Sequence, residues 1–191
     1  MRKLILNLFL MLTMVTSIFS QTDKFVFTKN GLKNANDENN SYVVIDIENV
    51  TANELYKRAL RYVHETFKNP QEVIKGDIPD EYLRIHVFSP TCATYKNVGL
   101  GTTAILEVNA NYYIEMRFRD QKVRLEIGDL KLNIGDAVLN IIGNPNMGYA
   151  IYKKNGELAK SETKNELEHY FNSNVDDLKT YLQNISKKID W

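Results

Sequence analysis

The run SYVVIDIENVTANELYKRALRYVHETFKN, residues 41–69, decides the fold. Val43, Ile45 and Ile47 alternate with Tyr42, Val44, Asp46 and Glu48. That period-two pattern is a strand with one buried face. Thr51 follows as an N-cap, with Glu54 three residues on to form a capping box, and Val50 is placed to staple onto Leu55. Leu55, Ala59, Val63 and Phe67 then recur at four-residue steps beside Tyr56 and Tyr62, while Lys57, Arg58, Arg61 and Glu65 take the other side. The pattern predicts an amphipathic helix of about four turns, ended by Asn69-Pro70.

Strands follow. In YLRIHVFS, Leu83, Ile85 and Val87 alternate with Arg84, His86 and Phe88. The stretch PTCATYKNVGLG reads as a loop that carries Cys92, the single cysteine. Next, Tyr112, Ile114, Met116 and Phe118 fall on one side of a long strand, with Tyr113, Glu115, Arg117 and Arg119 on the other. Asp120-Gln121 turns the chain into a partner strand, where Val123, Leu125 and Ile127 oppose Lys122, Arg124 and Glu126. Two alternating strands joined by a tight polar turn make a hairpin. Residues 133–160 read as turns around a short strand, GYAIYKK. In residues 161–191, Leu167, Phe171, Val175, Leu178, Leu182, Ile185 and Ile189 recur at threes and fours as a C-terminal helical segment, which Asn172-Ser173-Asn174 divides into two helices.

The expected class is therefore α+β in two layers. A curved antiparallel sheet has one apolar face, packed by the capped N-terminal helix and by the C-terminal helix, and one polar face. The expected division is a core domain over residues 41–132, a flexible Asn-rich lead-in over 21–40, and a signal peptide over 1–20. That signal has a positive start at Arg2-Lys3, an apolar run from Leu4 to Val15, and small polar residues up to Ser20. The run is too short to span a bilayer, so no integral span is expected after cleavage. An exported protein, periplasmic or secreted, follows.

Charge narrows the partners. The chain has 24 basic and 24 acidic residues, and removing Arg2 and Lys3 leaves 22 against 24. A chain without basic excess is a poor binder of nucleic acid, whose affinity rests on neutralised phosphates. One thiol makes no intrachain disulfide. His64, His86 and His169 share no helix face, and the Asp77/Asp80 and Asp176-Asp177 groups match no calcium loop. Gly99-Leu100-Gly101-Thr102 lacks the P-loop lysine. No metal and no cofactor are expected.

The residues now on the page resemble an exported bacterial family typical of the Bacteroidetes, a domain of unknown function with a TATA-binding-protein-like fold. Its pattern is a strand, a capped helix with an L-Y-x-R-A core, here Leu55-Tyr56-Lys57-Arg58-Ala59, and a following V-I, here Val73-Ile74. A later hairpin resembling I-E-x-K-D-G-x-Y-R corresponds to residues 114–124. The chain departs there by one extra residue before the turn, by Gln121 in place of glycine and by Val123 in place of tyrosine. The closing Asp190-Trp191 is also similar. The resemblance implies a helix-backed curved sheet over residues 41–132 and implies no activity.

Arg84, His86, Tyr113, Glu115, Arg117, Arg119, Arg124 and Glu126 share the polar face if the strands pair as read. Aromatic and arginine side chains are the types favoured at interfaces. The first reading is a non-catalytic binding module of the cell envelope that takes a protein, peptide or envelope component on this face. The alternative is an exported hydrolase using Cys92 with His86, since a thiol nucleophile needs a base in reach. A third reading makes the C-terminal helix an oligomerisation element. The signal pattern predicts Gln21 as the mature N-terminus; N-terminal sequencing of protein isolated from its host should read Gln21-Thr22-Asp23, and a blocked or intact Met1 would refute it.

Overall fold

A computed structural model describes residues 23–98 and 101–184. The expected signal peptide at 1–20, Gln21, the Gly99-Leu100 pair, Ile185, Ile189 and the Asp190-Trp191 end lie outside the described residues. In chain order the elements are β1 (Phe25–Thr28), β2 (Gly31–Asn34), β3 (Tyr42–Asp46), α1 (Ala52–Thr66), a short α2 (Pro70–Val73) and β4 (Ile74–Ile78). They continue with β5 (Tyr82–Val98), β6 (Thr103–Arg119), β7 (Lys122–Ile134), β8 (Ala137–Gly143), β9 (Tyr149–Lys153) and α3 (Ser161–Asn184). The fold is α+β, with an open, mostly antiparallel sheet ordered β4-β5-β6-β7-β8-β9. β3 pairs with β7 beside that path, β8 and β9 pair in parallel, and β1-β2 form a separate hairpin.

The alternation in the strands sets the layers. Leu83 and Ile85 of β5, Tyr112 and Met116 of β6, and Val123 and Leu125 of β7 are all buried on the inner face. Against them lie Leu55, Ala59 and Val63 of α1 and Leu167, Phe171, Val175, Leu178 and Leu182 of α3. The described part of the apolar stripe of α3, Leu167 to Leu182, is thus packed within the chain.

Thr51 caps α1 by accepting from the Glu54 amide at 3.3 Å. The reciprocal half of the capping box does not form. Glu54 takes the Arg58 guanidinium at 2.8 Å instead, and Asp120 of the β6-β7 turn accepts from the Ala52 amide at 2.9 Å. The helix start is therefore tied to the hairpin that follows it in sequence by almost 70 residues. Gln121, the residue where the family pattern has glycine, sits at φ 64, and its backbone bonds both Val50 and Ile47 at 2.8 Å. Those two bonds hold a non-glycine residue in a conformation that favours glycine.

Helix α3 also closes two strand edges. On one flank, Asn172 accepts from the Phe25 amide at 2.8 Å and donates to the Phe25 carbonyl at 2.9 Å, and Glu168 accepts from the Phe27 amide at 2.7 Å. Tyr152 of β9 donates to the Phe27 carbonyl at 2.7 Å. On the other flank, Glu166 accepts from the Thr94 amide, Thr163 donates to the Thr94 carbonyl at 2.7 Å, and Lys160 donates to the Lys96 carbonyl at 2.6 Å. Pairing of β4 with β5 ends at Ile85, so this is the part of β5 that no described strand covers on that side.

Four expectations are corrected. The lead-in over 21–40 is not flexible where it is described: Phe25, Phe27 and Leu32 are buried in the β1-β2 hairpin. The Cys92 loop is part of β5, which passes through it with a register shift between Ser89 and Ala93. Residues 133–160 hold two strands, β8 and β9. The C-terminal segment is one helix through Asn172-Ser173-Asn174 up to Asn184, because Asn172 and Asn174 bond Phe25 and the Tyr112 hydroxyl instead of their own backbone.

Asn172→Ala removes both bonds to Phe25 and leaves that backbone pair unsatisfied. The expected loss is about 1–3 kcal/mol, read as a lower urea midpoint at unchanged slope. A midpoint equal to that of the unaltered protein would show that water replaces the side chain at this edge.

Candidate functional site

No described helix lies on the outer face of the sheet. Its side chains form four rows, fixed by the pairing registers. From β3 across to β5, the first row is Asp46, Lys122 and Arg119, and the second is Val44, Arg124, Arg117 and Tyr82. The third is Tyr42, Glu126, Glu115 and Arg84, and the fourth is Gly128, Tyr113 and His86. All eight residues singled out from the sequence stand on this one face. Four of their neighbours, Tyr42, Tyr82, Lys122 and Asp46, were not singled out. They share the parity of Arg84, Arg124 and Glu126, so the alternation marks them. What alternation does not carry is the β3-β7 pairing that puts Tyr42 and Asp46 beside β7.

Stacking organises the face. The Arg84 guanidinium lies 3.9 Å from the centre of the Tyr113 ring, Arg117 lies 4.9 Å from Tyr82, and Arg124 lies 3.8 Å from Tyr42. Such cation–π pairs contribute about 0.5–1 kcal/mol each when exposed. Their larger effect here is to hold long side chains in place. Burial, then the Glu115 carboxylate, push the Tyr82 phenol above its ordinary pKa, so this ring stays neutral beneath its arginine. His86 bonds the Asn111 side chain at 2.6 Å and tilts against Tyr113 with ring centres 5.1 Å apart.

Charge is sorted along the strands. Arg84 meets two carboxylates, Glu115 at 3.4 Å and Asp129 at 3.1 Å. Arg124 meets Glu126 at 3.0 Å and Lys122 meets Asp46 at 3.4 Å. Arg117 and Arg119 have no ion pair among the described residues. A groove of about 390 Å³ lies at this basic end, lined by Tyr42, Val44, Arg117, Arg119, Lys122 and Arg124.

The Cys92–His86 pair is not assembled. Cys92 is buried in the core, its thiol donates to the Val108 carbonyl at 3.3 Å, and burial pushes its pKa up to about 12. His86 stands on the polar face, bonded to Asn111. His64 and His169 are exposed on α1 and α3. No group of three or more His, Cys, Asp or Glu side chains among the described residues is placed to hold a metal ion. No described helix is long and apolar enough to cross a membrane.

Residues 42–133 match the family model described as a domain of unknown function (DUF4468) with TBP-like fold. This bears out the resemblance read from the L-Y-x-R-A helix and the β6-β7 hairpin. Two solved structures are similar. A DUF4468 family protein from Bacteroides ovatus ATCC 8483 is 11% identical at a TM-score of 0.48, over 74% of this chain and 84% of that one. A TBP-like protein from Parabacteroides distasonis ATCC 8503 is 10% identical at a TM-score of 0.44, over 75% of this chain and 91% of that one. No curated protein matches the chain.

At pH 8 a thiol with a pKa of about 12 is ionised to about one part in ten thousand, and thiolate is the reactive form. Cys92 should therefore label with a disulfide reagent at least a hundredfold more slowly in the folded protein than in urea. Equal rates would contradict its burial.

Proposed function

We propose, taking residues 42–133 as a domain of that family of unknown function, that this protein is a non-catalytic binding module of the bacterial cell envelope. Its partner, a protein, peptide or envelope component, docks on the open polar face of the sheet. One observation carries the reading: three arginines stacked on three tyrosines in adjoining rows of a face that no described helix covers. Arginine and tyrosine are the side chains in which binding energy concentrates. Stacking them before a partner arrives lowers the ordering cost of docking. Phe88, 61% exposed on the same face next to His86 along β5, extends it with an apolar contact.

The cell-envelope setting is supported by the signal pattern of residues 1–20. The hydrolase alternative has lost its support, since Cys92 is buried with a raised pKa and His86 is engaged with Asn111 on the polar face.

The test uses immobilised mature protein and a detergent-solubilised envelope fraction of its host, with bound material identified by mass spectrometry. One abundant envelope component should be retained, and retention should fall at least tenfold in the Arg84→Glu/Tyr113→Glu double variant. Both residues are on the surface, so circular dichroism and the melting temperature check that the fold survives. Full retention by a folded double variant, or no component above background, would refute the polar-face reading.

A further inference from the structure

The two rungs nearest the β6-β7 turn each oppose like charges. Arg117 is the cross-strand partner of Arg124, and Arg119 is the partner of Lys122. Like charges directly opposite each other are destabilising. One such rung is tolerable on a solvated face, but two in succession on the same face call for an anion. The chain supplies only part of it. Asp46 answers Lys122 at 3.4 Å and Glu126 answers Arg124 at 3.0 Å. Arg117 and Arg119 have no ion pair among the described residues. Four cations against two carboxylates leave two positive charges at one groove. The next row reverses the sign: Glu115 is the cross-strand partner of Glu126, and Glu115 together with nearby Asp129 answers the single Arg84.

We propose that this groove binds a phosphorylated ligand through the doubly charged phosphate of a phosphomonoester, received by Arg117 and Arg119 with Arg124 and Lys122 beside them. The inference rests on the polar face being a binding face and names what it recognises at its basic end. The residual charge matches the ligand, since a phosphomonoester carries about −1.5 to −2 at neutral pH. Three of the four cations are arginines, whose planar forks suit phosphate oxygens bidentately. The groove, at about 390 Å³, falls within the roughly 300–1,000 Å³ of small-molecule sites, so it admits the phosphate together with part of the group that bears it. Tyr42 lines the groove and fixes Arg124 by stacking, and Tyr82 fixes Arg117 from the other side. A nucleic-acid track does not fit. Glu126, Glu115 and Asp129 follow immediately along the face, where a second phosphate of a continuous backbone would meet negative charge.

Isothermal titration of the mature protein with phenyl phosphate tests this, with phenyl sulfate as the monoanionic control. Phenyl phosphate should bind at least tenfold more tightly than phenyl sulfate at pH 7.5. Its affinity should fall as the pH drops to 5, where the phosphate loses its second charge at a pKa near 6. Arg117→Gln and Arg119→Gln should each weaken it at least fivefold, and the double variant should abolish it with a melting temperature no lower than that of the unaltered protein. Vesicles containing phosphatidic acid, compared with vesicles of phosphatidylcholine alone, separate the two sources of the group. Binding to the former that is lost in the double variant assigns a lipid-borne phosphate, and binding of phenyl phosphate without vesicle binding assigns a soluble one.

Three results would overturn the proposal: no binding of phenyl phosphate, equal binding of phenyl sulfate, or undiminished binding by the folded double variant. Tighter binding of a single-stranded oligonucleotide than of phenyl phosphate would also overturn it in favour of a polyanion track. Failure here is separable from failure of the binding-module reading. If an envelope component is still retained through Arg84 and Tyr113 while no phosphate binds, only the phosphate inference falls.

Discussion

Helix α3 is the element on which the rest of the structure depends. It does two jobs with different parts of its surface. Leu167, Phe171, Val175, Leu178 and Leu182 bury against the inner face of the sheet. Side chains of this kind contribute about 1.5–3 kcal/mol each on full burial, so this stripe supplies most of the binding of helix to sheet. The flanking polar residues contribute less, about 0.5–1.5 kcal/mol per hydrogen bond, but they decide where the helix lies. Asn172 and Glu168 address the backbone of β1, while Thr163 and Glu166, with Lys160 just before the helix, address β5. Packing holds the helix down and the polar bonds set its position.

The candidate site follows from that arrangement by default. Both long helices sit on the apolar face, so the opposite face is left to solvent with its side chains in pairing register. Cross-strand geometry then does the sorting. Where Arg84 meets Glu115 and Asp129 carboxylates outnumber the arginine, and where Arg117 and Arg119 meet Arg124 and Lys122 cations are in excess. A single sheet face thus has an acidic half and a basic half.

Much of this was legible in the sequence because it is local. The β3-α1 unit, the β6-β7 hairpin and the in-or-out placement of all eight polar-face residues rest on periodicity within one segment. What was missed depends on partners far along the chain. The β1 strand FVFT is only four residues long, and its edge is completed by Asn172 and Glu168, more than 140 residues away. Asn172-Ser173-Asn174 looks like a helix break by propensity, yet two of the three side chains are engaged elsewhere, so the backbone has no competing local bond. Pro90 made PTCATYKN look like a loop. In the structure β5 passes through it at an irregularity, along the stretch that no strand covers beyond Ile85, where a missing amide hydrogen costs little. Gln121 is one of the three departures from the family hairpin, and only the structure gives the two backbone bonds that hold it at φ 64.

The bonds from β1 to α3 span 141 and 147 residues. The earliest and latest described elements are therefore joined, and the family-matched segment at 42–133 lies entirely between them. Contacts of such separation carry a large loop-closure cost that must be met before they reward it. Until α3 arrives, FVFT and the uncovered stretch of β5 each present bare strand edges, and bare edges are templates for pairing with other molecules. The helix that completes the fold is thus also its guard against aggregation, and a chain damaged near either end would lose that protection at the same place.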